Sequence, residues 1–349
     1  MNKNISVLVV DDSAFMRKAV TEILHSDASI EVVGVAKNGL EALNLIKSLN
    51  PDVIILDIDM PVMDGLTSLR HLMIKSPTPA VVLSSLFADG AITFEALRLG
   101  VVDFVPKPSG AISENIHCAK QNLIDRVKMA QSVNMENVRR AKISREDYID
   151  HLVDIYRFRS LDYILTIGTT LSGPNTVIRL LSNLSPEIPA SVVAVQEISP
   201  KIIASFVRQF DEHVPWKVEV ASHDAVLQQG VCYISSTEKK MSVQTNDKGE
   251  ACLVFTESES KPLDLLFSSA AEVFRQNTIG VLLTGIGDDG AKGLADIQKV
   301  SGVTLAQEAQ TCVYPNLTDH AVKCGAVDIV LNETRLFRAI ETIMKHESC

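Results

Sequence analysis

The sequence predicts an α/β protein made of two successive doubly wound parallel sheets. Two observations carry that expectation. Short apolar runs alternate with helical patterns over most of the chain, the order that places helices on both faces of a parallel sheet. The chain also has 349 residues, a length at which two domains are the expected division.

In the first part the strands fall near 5–10, 31–36, 52–57, 79–84 and 101–105. Helices lie at about 13–25, 39–49, 64–75 and 90–99, and a fifth begins near Ser113 with a weak cap. Pro61 and Gly65 bracket a loop in which the chain must turn tightly. Three runs end on charge. Val7–Val10 leads into Asp11, Asp12 and Ser13, Ile54–Leu56 into Asp57, and Phe104–Pro106 into Lys107. Ligands of open α/β sheets bind at the carboxyl ends of the strands. Three carboxylates and one lysine therefore converge on one small site. Two carboxylates and a backbone carbonyl suit Mg²⁺, which takes oxygen ligands and keeps several waters. A carboxylate beside that ion can attack a phosphoryl group and form an aspartyl phosphate. The lysine then pairs with the added charge.

This constellation resembles the receiver domain of two-component response regulators, a flavodoxin-like (βα)5 fold. The resemblance implies that Asp57 is the phosphoacceptor and that Asp11 and Asp12 are the acidic pair at the metal. Asp57 and the backbone carbonyl of Asp59 complete the protein ligands. Ser84 matches the hydroxyl switch residue, Phe104 the rotating aromatic, and Lys107 the family's lysine.

Net charge is −10, which argues against a duplex-DNA footprint, since that needs a basic patch. The six cysteines are scattered, with no C-x-x-C pair, and read as reduced thiols. The first apolar run, Ile5 to Val10, is too short for a signal peptide, and no run approaches the roughly 18 apolar residues of a membrane span. The expectation is a cytoplasmic protein that is not embedded in a membrane and binds no nucleic acid.

Residues 113–158 read as one long polar helical stretch with interleaved charges, the fifth helix running on into a solvated linker. The expected domains are thus 1–112, 113–158 and 159–349. Beyond Leu161 a new alternation starts. Strand-like runs are Tyr163–Ile167, Ser191–Val195, Val218–Ala221, Val231–Ile234, Cys252–Phe255, Ile279–Leu283, Gly302–Ala306 and Ala326–Leu331. Helical patterns cover 173–183, 200–211, 262–276, 290–299 and 333–345. The middle, 216–256, reads as short antiparallel strands with turns such as Asn246–Gly249.

Two Gly-rich turns stand out, Ile167–Pro174 and Leu283–Gly290. Neither fits a P-loop or a dinucleotide fingerprint. They resemble I-G-A-S-T-G-G and L-T-G-M-G-x-D-G of the chemotaxis protein-glutamate methylesterases, the CheB family. Val192–Pro200 is similar to the family's V-V-x-x-Q-H-M-P-P, whereas Tyr314–Leu317 departs from its F-G-M-P. The resemblance spans nearly the whole chain and implies a receptor methylesterase and glutamine deamidase gated by its receiver. It also implies a histidine kinase and the cytoplasmic domain of a chemoreceptor as partners. The family's triad is Ser, His and Asp. Here the Ser position holds Thr170, the His position holds Glu197, and the Asp is present as Asp289.

That departure matters physically. A hydroxyl nucleophile needs a neighbouring base with a pKa near the working pH. A carboxylate, at about 4.3, is a poor match, and its charge opposes a developing oxyanion. Losing Ser or His from a hydrolase triad costs on the order of a millionfold in rate. The expected function is therefore a phosphorylation-controlled chemotaxis regulator whose hydrolase activity is lost or much reduced. The alternatives are an active esterase using a relocated nucleophile, Ser172, or a binding protein and phosphate sink without chemistry. His213, His223 and His320 are the substitute-base candidates.

Overall fold

The computed structural model describes residues 4–84, 90–107, 115–135, 138, 161–171 and 173–345. It contains two compact units, the first from Met1–Ala88 and Glu95–Arg140 and the second from Asp89–Phe94 and Ala141–Cys349. No helix among the described residues is long and apolar enough to cross a membrane.

The first sheet holds β1 (Ile5–Val10), β2 (Ile30–Ala36), β3 (Val53–Asp57), β4 (Ala80–Ser84) and β5 (Asp103–Pro106) in the order β2-β1-β3-β4-β5. All the pairings are parallel. The central strand β3 is buried along its whole length, which is why its sequence shows no alternation. Helices α1 (Ala14–His25), α2 (Gly39–Leu49), α3 (Gly65–Lys75), α4 (Gly90–Leu99) and α5 (Asn115–Gln131) follow the strands in turn. Their starts are set by local chemistry. Ser13, Asn38 and Asp64 each accept a backbone N–H of the following first turn. The expected tight turn after Asp57 is present. A Cβ on Gly65 would lie 2.2 Å from the Asp57 carbonyl oxygen, so only glycine fits there.

The long helical stretch expected over 113–158 falls only partly within the described residues. α5 ends at Gln131, and Val133, 8% exposed, turns back onto the first unit. Residues 139–160 lie outside the described residues.

The second sheet has seven parallel strands, ordered β15-β14-β13-β6-β7-β10-β8. They are β6 (Tyr163–Gly168), β7 (Ala190–Gln196), β8 (Lys217–Val220), β10 (Val231–Ser236), β13 (Thr278–Leu282), β14 (Val303–Gln307) and β15 (Ile329–Leu331). Between them run α6 (Gly173–Asn183), α7 (Ile203–Asp211), α8 (Pro262–Phe274), α9 (Ala291–Lys299), α10 (Asn316–Lys323) and α11 (Glu333–Lys345). A three-stranded antiparallel sheet, β11-β12-β9, is formed by β9 (Ala225–Val226), β11 (Met241–Thr245) and β12 (Ala251–Phe255).

Here too the sequence reading is corrected. β8 and β10, expected in the antiparallel part, pair in parallel within the main sheet. β10 is buried at every position, and its unbroken apolar run was the signal for an inner parallel strand. The Asn246–Gly249 turn does close the β11–β12 hairpin, with Gly249 at φ +80°. The core of this unit packs Ile164, Val193, Val195 and Tyr233 of the main sheet with Leu263, Leu266 and Phe267 of α8 and Val243 and Leu253 of the small sheet.

Candidate functional site

In the first unit the topology brings β1, β3 and β5 to one carboxyl edge, and the expected groups meet there. Ligand oxygens of Asp11, Asp12 and Asp57 all lie within 4.8 Å of one another. Asp11 is wholly buried and Asp57 is 3% exposed. Each carboxylate is oriented by its own backbone. Ser13 N–H donates to Asp11 Oδ1 at 2.8 Å, and Ile58 N–H donates to Asp57 Oδ1 at 2.8 Å. The Lys107 ammonium bridges the other oxygens, 2.7 Å from Asp57 Oδ2 and 3.0 Å from Asp11 Oδ2.

The electrostatics follow from that geometry. Burial pushes the Asp57 carboxyl above its ordinary range, against the pull of Lys107. Burial would depress Lys107, but its hydrogen bonds to Asp57 and Asp11 outweigh that and hold it above the usual lysine value. Three carboxylates against one ammonium leave negative charge uncompensated, and hard oxygen donors so clustered fit Mg²⁺. Asp59 stands two residues beyond β3 with its side chain exposed. Phe104 is half-buried on β5, opposite Val82 of β4. Ser84 ends β4, with its side chain outside the described residues.

Two further residues hold this site, and the sequence reading passed over both. Arg17 donates to the carbonyls of Asp11, at 2.7 Å, and Asp12, at 3.0 Å, fixing the acidic pair. Its place one helical turn past the Ser13 cap was the available signal. Asp103 accepts the Phe104 N–H at 2.7 Å and pairs with Arg126 of α5 at 3.0 Å, tying β5 to that helix.

In the second unit β13, β6 and β7 are neighbours, so Thr170, Glu197 and Asp289 follow adjacent strand ends. The side chains of Thr170 and Asp289 are bonded to backbone groups. The Thr170 hydroxyl donates to the Ile286 carbonyl at 3.0 Å and accepts the Ile286 N–H at 2.7 Å. Thr169 donates to the Thr284 carbonyl at 2.5 Å, so the two Gly-rich turns are knitted together. A Cβ on Gly285 would come within 2.4 Å of Thr170 Oγ1, so this glycine makes room for that hydroxyl. Glu197 is exposed. Asp289 accepts the N–H groups of Leu263 and Asp264, both at 2.9 Å, and so closes the start of α8. Burial raises its carboxyl above the ordinary value, partly offset by those two bonds. Ser172 lies outside the described residues.

The substitute-base candidates are engaged elsewhere as well. His213 Nδ1 is 2.6 Å from the Gln209 carbonyl, and His223 Nδ1 accepts the Phe255 N–H at 3.1 Å. His320 Nε2 stands 3.6 Å from Cys324 Sγ.

Residues 165–340 match the family described as CheB methylesterase, and residues 7–116 match the response regulator receiver domain. The chain belongs to the CheB family of chemotaxis response regulators. A protein-glutamate methylesterase/protein-glutamine glutaminase of Bacillus licheniformis is 38% identical over 356 residues, covering 98% of this chain and 99% of the relative. One from Caldanaerobacter subterraneus is 35% identical over 346 residues, covering 95% and 94%. The crystal structure of the Thermotoga maritima CheB methylesterase catalytic domain aligns at 25% identity and a TM-score of 0.50, covering 53% of this chain and 100% of that one. Receiver domains bind Mg²⁺ in general, and this family acts on chemoreceptors under control of a kinase.

Proposed function

We propose that this CheB-family chain is a phosphate-accepting chemotaxis regulator whose esterase chemistry is lost or much reduced. Asp57 Oδ2 attacks the phosphorus of a phosphohistidine on a chemotaxis kinase. A P–O bond forms as the P–N bond breaks, and the imidazole leaves with a proton. Asp11, Asp12, Asp57 and the Asp59 carbonyl would hold Mg²⁺, which when bound neutralises phosphoryl oxygens. Lys107, already 2.7 Å from Asp57, then pairs its ammonium with the new phosphoryl oxygens. Ser84 and Phe104 read the change. The domains are taken as 1–112, 113–158 and 159–349, the partner of the last being a chemoreceptor's cytoplasmic domain.

The observation that carries the loss of esterase activity is the Thr170 hydroxyl, whose one proton goes to the Ile286 carbonyl and not to a base. The test is methanol release from methylated receptor membranes by the full chain, with acetyl phosphate and Mg²⁺ present to relieve receiver control. The Thr170→Ser/Glu197→His double variant runs beside it. Background release by the natural chain with activity in the double variant supports the reading. Release well above background by the natural chain overturns it.

A further inference from the structure

The acidic pair after β1 sits in a set of interlocking local bonds. Asp11 Oδ1 accepts the Ser13 N–H at 2.8 Å, the bond of an Asx turn. The Ser13 hydroxyl accepts the Met16 N–H at 3.3 Å and starts α1. Arg17 closes the set. Its N–H donates to the Ser13 carbonyl at 3.0 Å. One guanidinium nitrogen, Nη1, donates to the carbonyls of both Asp11, at 2.7 Å, and Asp12, at 3.0 Å. Of the three acidic ligands, Asp12 is the one most in need of such support. Asp11 and Asp57 are buried, each with a backbone N–H on one carboxylate oxygen. Asp12 is exposed, and among the described residues no donor is bonded to its carboxylate.

We propose that Arg17 is a positioning residue for the divalent ion, acting on metal affinity through the backbone of Asp12. The role rests on the phosphate-accepting site proposed above. The two carbonyls that Arg17 holds belong to the peptide planes on either side of the Asp12 Cα. Fixing both planes fixes the direction in which the Asp12 side chain leaves the chain. Its carboxylate is thereby kept within 4.8 Å of those of Asp11 and Asp57 before an ion arrives. Less ordering is then left for the ion to impose. Two effects of opposite sign meet at this residue. A guanidinium is always charged, and its charge opposes a cation. Its hold on the turn favours one. Arg17 touches carbonyls and not the carboxylates, and it is only half-buried, so solvent screens the repulsion. Losing a group that orients a metal ligand costs about 10–100-fold in affinity. The hold on the turn therefore outweighs the charge.

Mn²⁺, which takes the same hard oxygen ligands, makes the binding directly measurable. The electron paramagnetic resonance signal of the free ion falls as the full chain takes it up. Uptake that survives in Asp11→Ala/Asp57→Ala is background from elsewhere and is subtracted. Arg17→Met keeps the apolar stem and lacks both donors. It is expected to weaken Mn²⁺ binding at least about tenfold. Half-maximal phosphate uptake from acetyl phosphate should move to a Mg²⁺ concentration higher by the same factor. Arg17→Lys offers one nitrogen to the same two carbonyls and recovers part of the affinity. Melting curves in chelator confirm that each variant is folded. Unchanged or tighter Mn²⁺ binding in Arg17→Met, or a lysine variant no better than the methionine one, overturns the role of Arg17 and leaves the phosphate-accepting reading standing. No binding above background by the natural chain overturns the metal site, and this role with it.

Discussion

Asp57 and Thr170 show how one side chain's surroundings decide its chemistry. Burial raises the Asp57 carboxyl, so the native state holds that proton more tightly than the unfolded chain does. Its stabilising share is present below the unfolded carboxylate pKa and is lost as pH rises through the folded one. At neutral pH the ionised group therefore costs stability. Asp57→Asn is expected to abolish labelling by a small phosphodonor and to raise the receiver's thermal midpoint at neutral pH. The gain should shrink as pH falls through the carboxylate range, which melting curves at several pH values would check. Thr170→Val tests the other residue. It strips the Ile286 N–H and carbonyl of their shared partner and is expected to cost about 1–3 kcal/mol in denaturant unfolding. A Thr170 that served only catalysis would show no such loss.

Between elements, a few polar contacts position whole helices. Asp289 bonds the first two free N–H groups of α8 from a turn 25 and 26 residues further along the chain. Asp289→Ala is expected to lower the second unit's stability by about 1 kcal/mol, the size of a lost helix cap, with Asp289→Asn in between. Urea midpoints would show it. Arg179 of α6 and Glu333 of α11 form a two-point ion pair, at 2.5 and 3.0 Å, with the arginine side chain 7% exposed. Glu333→Ala removes the carboxylate that this buried guanidinium pairs with and is expected to cost about 3 kcal/mol. An unchanged unfolding midpoint would refute this.

For the molecule as a whole, phosphorylation should require a divalent ion. Removing Mg²⁺ with a chelator is expected to stop phosphate uptake, and adding it back to restore it, because the cluster's carboxylates outnumber its one ammonium. Much of this plan was legible from the chain. Strand ends carrying Asp11, Asp57 and Lys107 could be read because buried parallel strands are short unbroken apolar runs, and the charge that stops each run marks the edge where sites form. The turns at Thr170 and Asp289 were legible as family motifs.

What the sequence determined by itself was therefore the local and periodic part: the alternation of elements and the acidic cluster at the strand ends. Tertiary structure decided where each polar group spends its hydrogen bonds. Nothing local to Thr170 announces that its hydroxyl will be taken up by Ile286, 116 residues away. Nothing around Asp289 announces that both its oxygens will face α8. The insertion of β10 between β7 and β8 was misread as antiparallel pairing for the same reason. Apolar runs state that a strand is buried but not which neighbour buries it, since pairing energy comes from contacts distant in sequence.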